Sequence, residues 1–164
     1  MVKSGESQEG GNLKIKAIMF IGQYSHSLDS KGRVAVPAKF RAELKSAVVT
    51  KGLDNCLFLY PQKEWEKMAE TVANMPIDRS DNRKFSRAIL AGATEVEFDK
   101  QGRIILPEYL RSFAGISKNV VIAGLYNRLE IWDEEKWNTY KEDSDKNYNS
   151  IAETLNDLRN SVTS

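Results

Sequence analysis

The chain is written twice. Asp29-Ser30-Lys31-Gly32-Arg33-Val34-Ala35-Val36-Pro37 recurs 70 residues later as Asp99-Lys100-Gln101-Gly102-Arg103-Ile104-Ile105-Leu106-Pro107, and Arg41 recurs as Arg111. Asp, Gly, Arg and Pro are identical, and the apolar positions match in kind. A second block, Gly52-Leu53-Asp54-Asn55 through Tyr60, answers Gly124-Leu125-Tyr126-Asn127 through Trp132 at an offset of 72, which Trp65 and Trp137 keep. Such a tandem duplication constrains the fold before any single residue does. Each copy spans about 45 residues, too few for a secure core of its own. The two copies are therefore expected to intertwine around one core, related by an internal pseudo-two-fold axis.

Local signals fill in the unit. Phe20–Leu28 alternates as a strand, Asp29–Gly32 is a turn with Asp first and Gly last, and Arg33–Val36 returns as a strand. Pro37 is expected at the first position of a short helix to Lys45. Strands Ala47–Lys51 and Cys56–Tyr60 flank the turn Gly52–Asn55, and a helix from Pro61 carries Trp65, Met68, Ala69 and Val72 at helical spacing. A linker with Pro76 and a helix Asn82–Ala91 join the copies. The second copy repeats the order with strand Thr94–Phe98, turn Asp99–Gly102, strand Arg103–Leu106, a helix from Pro107, strands Asn119–Ala123 and Arg128–Trp132, and a helix from about Asp133. Each unit is ββαββα, and the expected fold is α+β and β-rich, with the two units intertwined into one pseudo-two-fold barrel and joined by connecting helices. The expected division is a disordered leader 1–18, repeat 1 over 19–65, connecting helices over 66–93, repeat 2 over 94–140, and a polar tail 141–164. The tail carries a weak amphipathic helix marked by Ile151, Leu155, Leu158 and Val162.

Composition removes several function classes. One cysteine, Cys56, excludes an internal disulfide and a cysteine zinc site, and its apolar setting predicts a core thiol. One histidine, His26, cannot build a histidine metal site, so no metal or cofactor is expected. Ser25-His26-Ser27 resembles triad chemistry in composition only, since neighbours along a strand face opposite ways. An enzyme is the least favoured class. No stretch approaches the roughly 20 apolar residues of a membrane-spanning helix, and no secretory signal is visible, so a soluble intracellular protein is expected. The overall charge of +1 is uninformative, but its distribution is not. Residues 13–65 hold nine Lys and Arg against four Asp and Glu, while residues 94–137 hold six against eight. An anionic partner is therefore expected mainly on the first copy.

Turn chemistry explains Asp29, Gly32, Asp99 and Gly102. It does not ask for Arg33 or Arg103. Two readings stand at this point. Each Arg stiffens its own hairpin by pairing with Asp, or each Asp holds a guanidinium fork in the orientation that meets a ligand. Arg suits phosphates and guanine edges in particular, and Lys31, Lys39 and Arg41 stand nearby, with Lys100 in the second copy.

The stretches Leu28–Arg33, Pro37–Arg41, Gly52–Pro61, Ala91-Gly92-Ala93, Asp99–Pro107 and Glu130-Ile131-Trp132 resemble the MraZ family of bacterial transcriptional regulators, built from two AbrB-like swapped-hairpin units. The resemblance runs from Met19 to about Tyr140. It implies a cytoplasmic, nucleoid-associated DNA-binding regulator of its own division and cell-wall gene cluster, assembled into rings. Its D-x-x-x-R motif carries over to Asp29 and Arg33, and to Asp99 and Arg103. The DNA-binding set expected here is Asp29, Lys31, Arg33, Lys39, Arg41, Asp99, Lys100 and Arg103, with double-stranded DNA carrying direct repeats as the partner of a homo-oligomer. The leader and tail depart from the pattern. An oligomeric scaffold with no specific DNA binding is the alternative; a toxin-neutralising module is disfavoured by the fused duplicate.

Overall fold

The computed structural model describes residues 19–163, so the disorder expected for the leader lies outside the described residues. Among these described residues, eight strands and six α-helices follow in order: β1 Phe20–Ser27, β2 Arg33–Ala35, α1 Ala38–Arg41, β3 Ala47–Lys51, β4 Leu57–Pro61, α2 Gln62–Ala73, α3 Ser80–Ser86, β5 Thr94–Val96, β6 Arg103–Ile105, α4 Glu108–Ala114, β7 Asn119–Tyr126, β8 Leu129–Asp133, α5 Glu134–Lys146 and α6 Tyr148–Val162. Six strands form one antiparallel sheet in the order β1-β7-β8-β4-β3-β5, and β2 pairs with β6 as a separate ribbon.

The pairing shows how the copies interlock. The turn at Asp29 predicts that β2 runs back along β1, but the ladders cross between copies instead. β1 pairs with β7 from Phe20↔Tyr126 to Ser27↔Asn119, and β5 pairs with β3. β2 pairs with β6 through Arg33↔Ile105, Val34↔Ile104 and Ala35↔Arg103. Val34 and Ile104, equivalent positions of the repeat, thus face each other on the pseudo-two-fold axis. Matching backbone bonds flank them, Val36 N to Gly102 O at 3.2 Å and Leu106 N to Gly32 O at 2.9 Å. Exchange of strands lets two units that are too small alone bury one set of side chains. Val34, Val36, Ile104 and Leu106 of the ribbon region pack with Val49, Leu57, Leu59, Ile122, Leu129 and Ile131 of the sheet.

Alternation puts different residues on the other face of the sheet. There Cys56, Phe58, Tyr60 and Trp132 form a second cluster with Trp65, Met68 and Trp137. Trp65 of α2 packs on Tyr60 at 6.1 Å between ring centroids, and Trp137 of α5 packs on Trp132 at 5.5 Å. The repeated Trp therefore caps the same outer face in each copy. Cys56 is fully buried and donates to Leu53 O at 3.1 Å, and burial pushes its pKa upward.

Several boundaries differ from the sequence reading. Pro37, Pro61 and Pro107 precede their helices instead of opening them: each keeps an extended ψ between 134° and 152°. Phe40 N and Leu110 N still close the first turns on the carbonyls of Pro37 and Pro107. The helix expected to Lys45 is α1 followed by a tighter 3-10 turn, Ala42–Leu44, which buries Leu44 beside Phe40. The helix expected over Asn82–Ala91 is α3 continued by a π-helical turn, Arg87–Ala91. There buried Thr50 donates to Ile89 O at 2.7 Å. β7 runs on to Tyr126, and the polar stretch after Lys141 is helical in α5 and α6. No helix among the described residues is long and apolar enough to cross a membrane.

Candidate nucleic-acid interface

The two Asp–Arg loops have the same internal geometry. Asp29 Oδ1 accepts from the backbone N–H of Lys31 and of Arg33, both at 2.9 Å, and Asp99 Oδ1 does the same for Gln101 and Arg103. Those bonds close the turns, and Gly32 and Gly102 complete them at φ +75° and +74°. The other carboxylate oxygen holds the guanidinium: Arg33 Nε donates to Asp29 Oδ2 at 2.6 Å and Arg103 Nε to Asp99 Oδ2 at 2.8 Å. Both carboxyls are held below the usual Asp value, first by the N–H of their own Arg and further by its side chain and charge, against a smaller desolvation that acts the other way. Nε is one edge of the fork. Among the described residues the Nη groups of Arg33 have no hydrogen-bond partner within the protein.

The ribbon brings the two loops together. Val34 and Ile104 point into the core, so Arg33, Ala35, Arg103 and Ile105 share the outward face. Arg103 Nη1 reaches Asp29 Oδ2 of the other copy at 3.5 Å, and the side chains of Arg33 and Arg103 are 28% and 25% exposed. Neither arginine is buried, and they belong to one surface.

The remaining sequence candidates occupy different settings. Lys31 and Lys100 are exposed at the tips of the two loops. Lys39 lies with Nζ 4.7 Å from the Tyr24 ring centroid and 5.0 Å from that of Phe40, a cation–π position that fixes its stem. Arg41 donates from Nε to Val36 O at 3.1 Å, and its guanidinium fills the space beside Gly102 of the other copy. Arg111 is its mirror, bonded to Leu106 O at 2.9 Å and lying against Gly32. Each second arginine therefore braces the opposite copy's turn.

The interlocking also redistributes charge. The sequence places the basic residues on the first copy, but Arg41 and Lys45 line a cleft with Glu97, Phe98, Asp99 and Lys100 of the second. Basic residues of copy 1 thus flank the loop of copy 2. The place of Lys45 beside the second loop was not legible from sequence, since the crossover between copies puts it there and not its own motif. The described residues hold no cluster of His, Cys, Asp and Glu suited to a metal ion.

A sheet shared by two swapped halves, with twin Asp–Arg loops on one ribbon, defines a tandem swapped-hairpin protein. The chain belongs to the MraZ family: the family described as "MraZ protein, putative antitoxin-like" matches residues 19–88 and again residues 89–159. It is 52% identical over 141 residues to a protein of Natranaerobius thermophilus, 50% to one of Syntrophomonas wolfei and 48% to one of Halothermothrix orenii. Each alignment covers 85% of this chain and 99% of the relative, and each relative is named "Transcriptional regulator MraZ".

Proposed function

We infer that this chain is a DNA-binding transcriptional regulator and not an enzyme. The observation that carries the reading is the convergence of Arg33 and Arg103 on Asp29, which gathers one guanidinium from each copy on one two-stranded ribbon. The B-DNA major groove admits such a ribbon. Arg33 and Arg103 are assigned to base edges, with Asp29 and Asp99 as the groups that orient them. Lys31, Lys39, Lys100 and Arg41 are assigned to phosphates, where contacts set position and salt dependence but carry no sequence information. Arg41 reaches that role from its bond to Val36 O, so its share is the outer edge of the guanidinium.

The same reading covers the finer points. The units are 19–65 and 94–140, with 66–93 joining them. The target is the promoter of a division and cell-wall cluster that includes the protein's own gene, and the place of action is the cytoplasm at the nucleoid. One bidentate Arg–guanine contact supplies roughly 1–3 kcal/mol, so specificity comes from several chains bound to repeated boxes. A closed ring joins its members head to tail, so neighbouring ribbons meet the DNA in the same sense and direct repeats fit. A gel shift on the upstream DNA tests the assignment: Arg33→Ala is expected to weaken the complex, and undiminished binding removes Arg33 from the mechanism.

An oligomeric scaffold without DNA specificity draws on α6, whose Ile151, Leu155, Leu158 and Val162 are 48–85% exposed. Light scattering with and without the upstream duplex separates the two, because a scaffold assembles yet ignores DNA at physiological salt.

A further inference from the structure

The ribbon's outward face is not symmetric. The pseudo-two-fold exchanges Arg33 with Arg103 and Ala35 with Ile105, so the arginines match and the residues between them do not. Ile105 is 58% exposed, directly across the ladder from Arg33. This large aliphatic side chain stands more than half in water, across from one motif arginine and two residues along the strand from the other, while its neighbours Ile104 and Leu106 are fully buried.

We propose that Ile105 contacts the C5-methyl group of a thymine in the major groove, beside the guanine read by Arg33, and so gives the ribbon a direction on DNA. The proposal rests on the DNA-binding reading above. Residues paired across a ladder have Cβ atoms about 4.5–5.5 Å apart, and base pairs rise 3.4 Å along the duplex, so Arg33 and Ile105 address positions one to two steps apart. The thymine methyl is the apolar group that the major groove offers. Asp29 and Asp99 balance the two arginines, and the exposed Lys31 and Lys100 at the loop tips leave a positive surplus that selects nucleic acid over an uncharged protein surface as the occupant. Two arginines related by a dyad read both directions of a site alike. Ile105 against Ala35 breaks that equivalence, as boxes repeated head to tail require.

The test uses the full chain and its upstream duplex, made either with thymine or with uracil in place of every thymine. Wild type is expected to lose about fourfold in affinity on the uracil duplex for each chain bound to a box, the worth of one methyl group withdrawn from water. Ile105→Ala is expected to bind the two duplexes equally, and Ile105→Leu to keep the preference. An equal preference in wild type and Ile105→Ala overturns the proposal, because the methyl groups then act elsewhere. No preference in wild type also overturns it. A changed oligomer mass for Ile105→Ala with the preference intact overturns it too, and gives this face to a second copy. A wild-type chain that binds neither duplex refutes the DNA-binding reading itself.

Discussion

Arg103 Nη1 lies 3.5 Å from Asp29 Oδ2, the same oxygen that Arg33 Nε bonds at 2.6 Å. One carboxylate therefore orients guanidinium groups from both copies, whereas Asp99 holds Arg103 of its own copy. Asp29→Ala is expected to weaken DNA binding more than Asp99→Ala does. Fluorescence anisotropy with a labelled upstream duplex measures the order, and equal losses would show that the cross-copy contact has no effect.

Adjacent ribbon residues are expected to behave oppositely in unfolding experiments. Ile104 is fully buried on the axis, so Ile104→Ala is expected to cost about 2–5 kcal/mol through lost burial and the cavity left behind. Ile105→Ala is expected to stay within about 0.5 kcal/mol of wild type. Urea denaturation of the two variants checks the facing of β6 directly.

The loop glycines are expected to resist replacement unequally. Both have positive φ, which costs an alanine about 1–2 kcal/mol. A methyl group on Gly32 would lie 3.0 Å from Arg111 Cζ, but one on Gly102 would collide with the Arg41 guanidinium. Gly102→Ala is therefore expected to lower Tm more than Gly32→Ala. A thermal melt in which Gly32→Ala is the worse of the two contradicts the bracing geometry.

Acid is expected to loosen both loops. Asp29 and Asp99 are held below 3.8 in the fold, so their contribution is fully present above that value. It is lost as pH falls through the lowered folded values, where the unfolded chain binds more protons than the folded one. Stability measured from pH 6 down to pH 3 is expected to fall less steeply in the Asp29→Asn, Asp99→Asn double variant. An unchanged slope would place the titrating groups elsewhere.

The repeat made the architecture readable, because equal spacing in two copies forces equivalent elements. The Asp29–Arg33 and Asp99–Arg103 pairs stood out as candidates because the turn explained the acids and left the arginines over. The strand partners were not. A hairpin signal such as Asp29–Gly32 specifies a reversal of the chain but not the ladder it joins, and here burial of Val34 against Ile104 decided the partner. For the same reason, sequence alone concealed the bracing of Gly102 by Arg41, the approach of Lys45 to the second loop, and the exposure of Ile105. Thr50, in an apolar strand, gave no hint of its bond to the π-helical turn at Ile89.

Binding of the upstream duplex by the Arg33→Ala, Arg103→Ala double variant, compared with each single variant at one salt concentration, tests the shared interface most directly. Each single change is expected to cost about 1–3 kcal/mol, and the double variant to stay folded and retain only weak, salt-sensitive binding. A double variant that folds and binds the duplex as tightly as wild type would contradict the assignment of the paired loops to DNA.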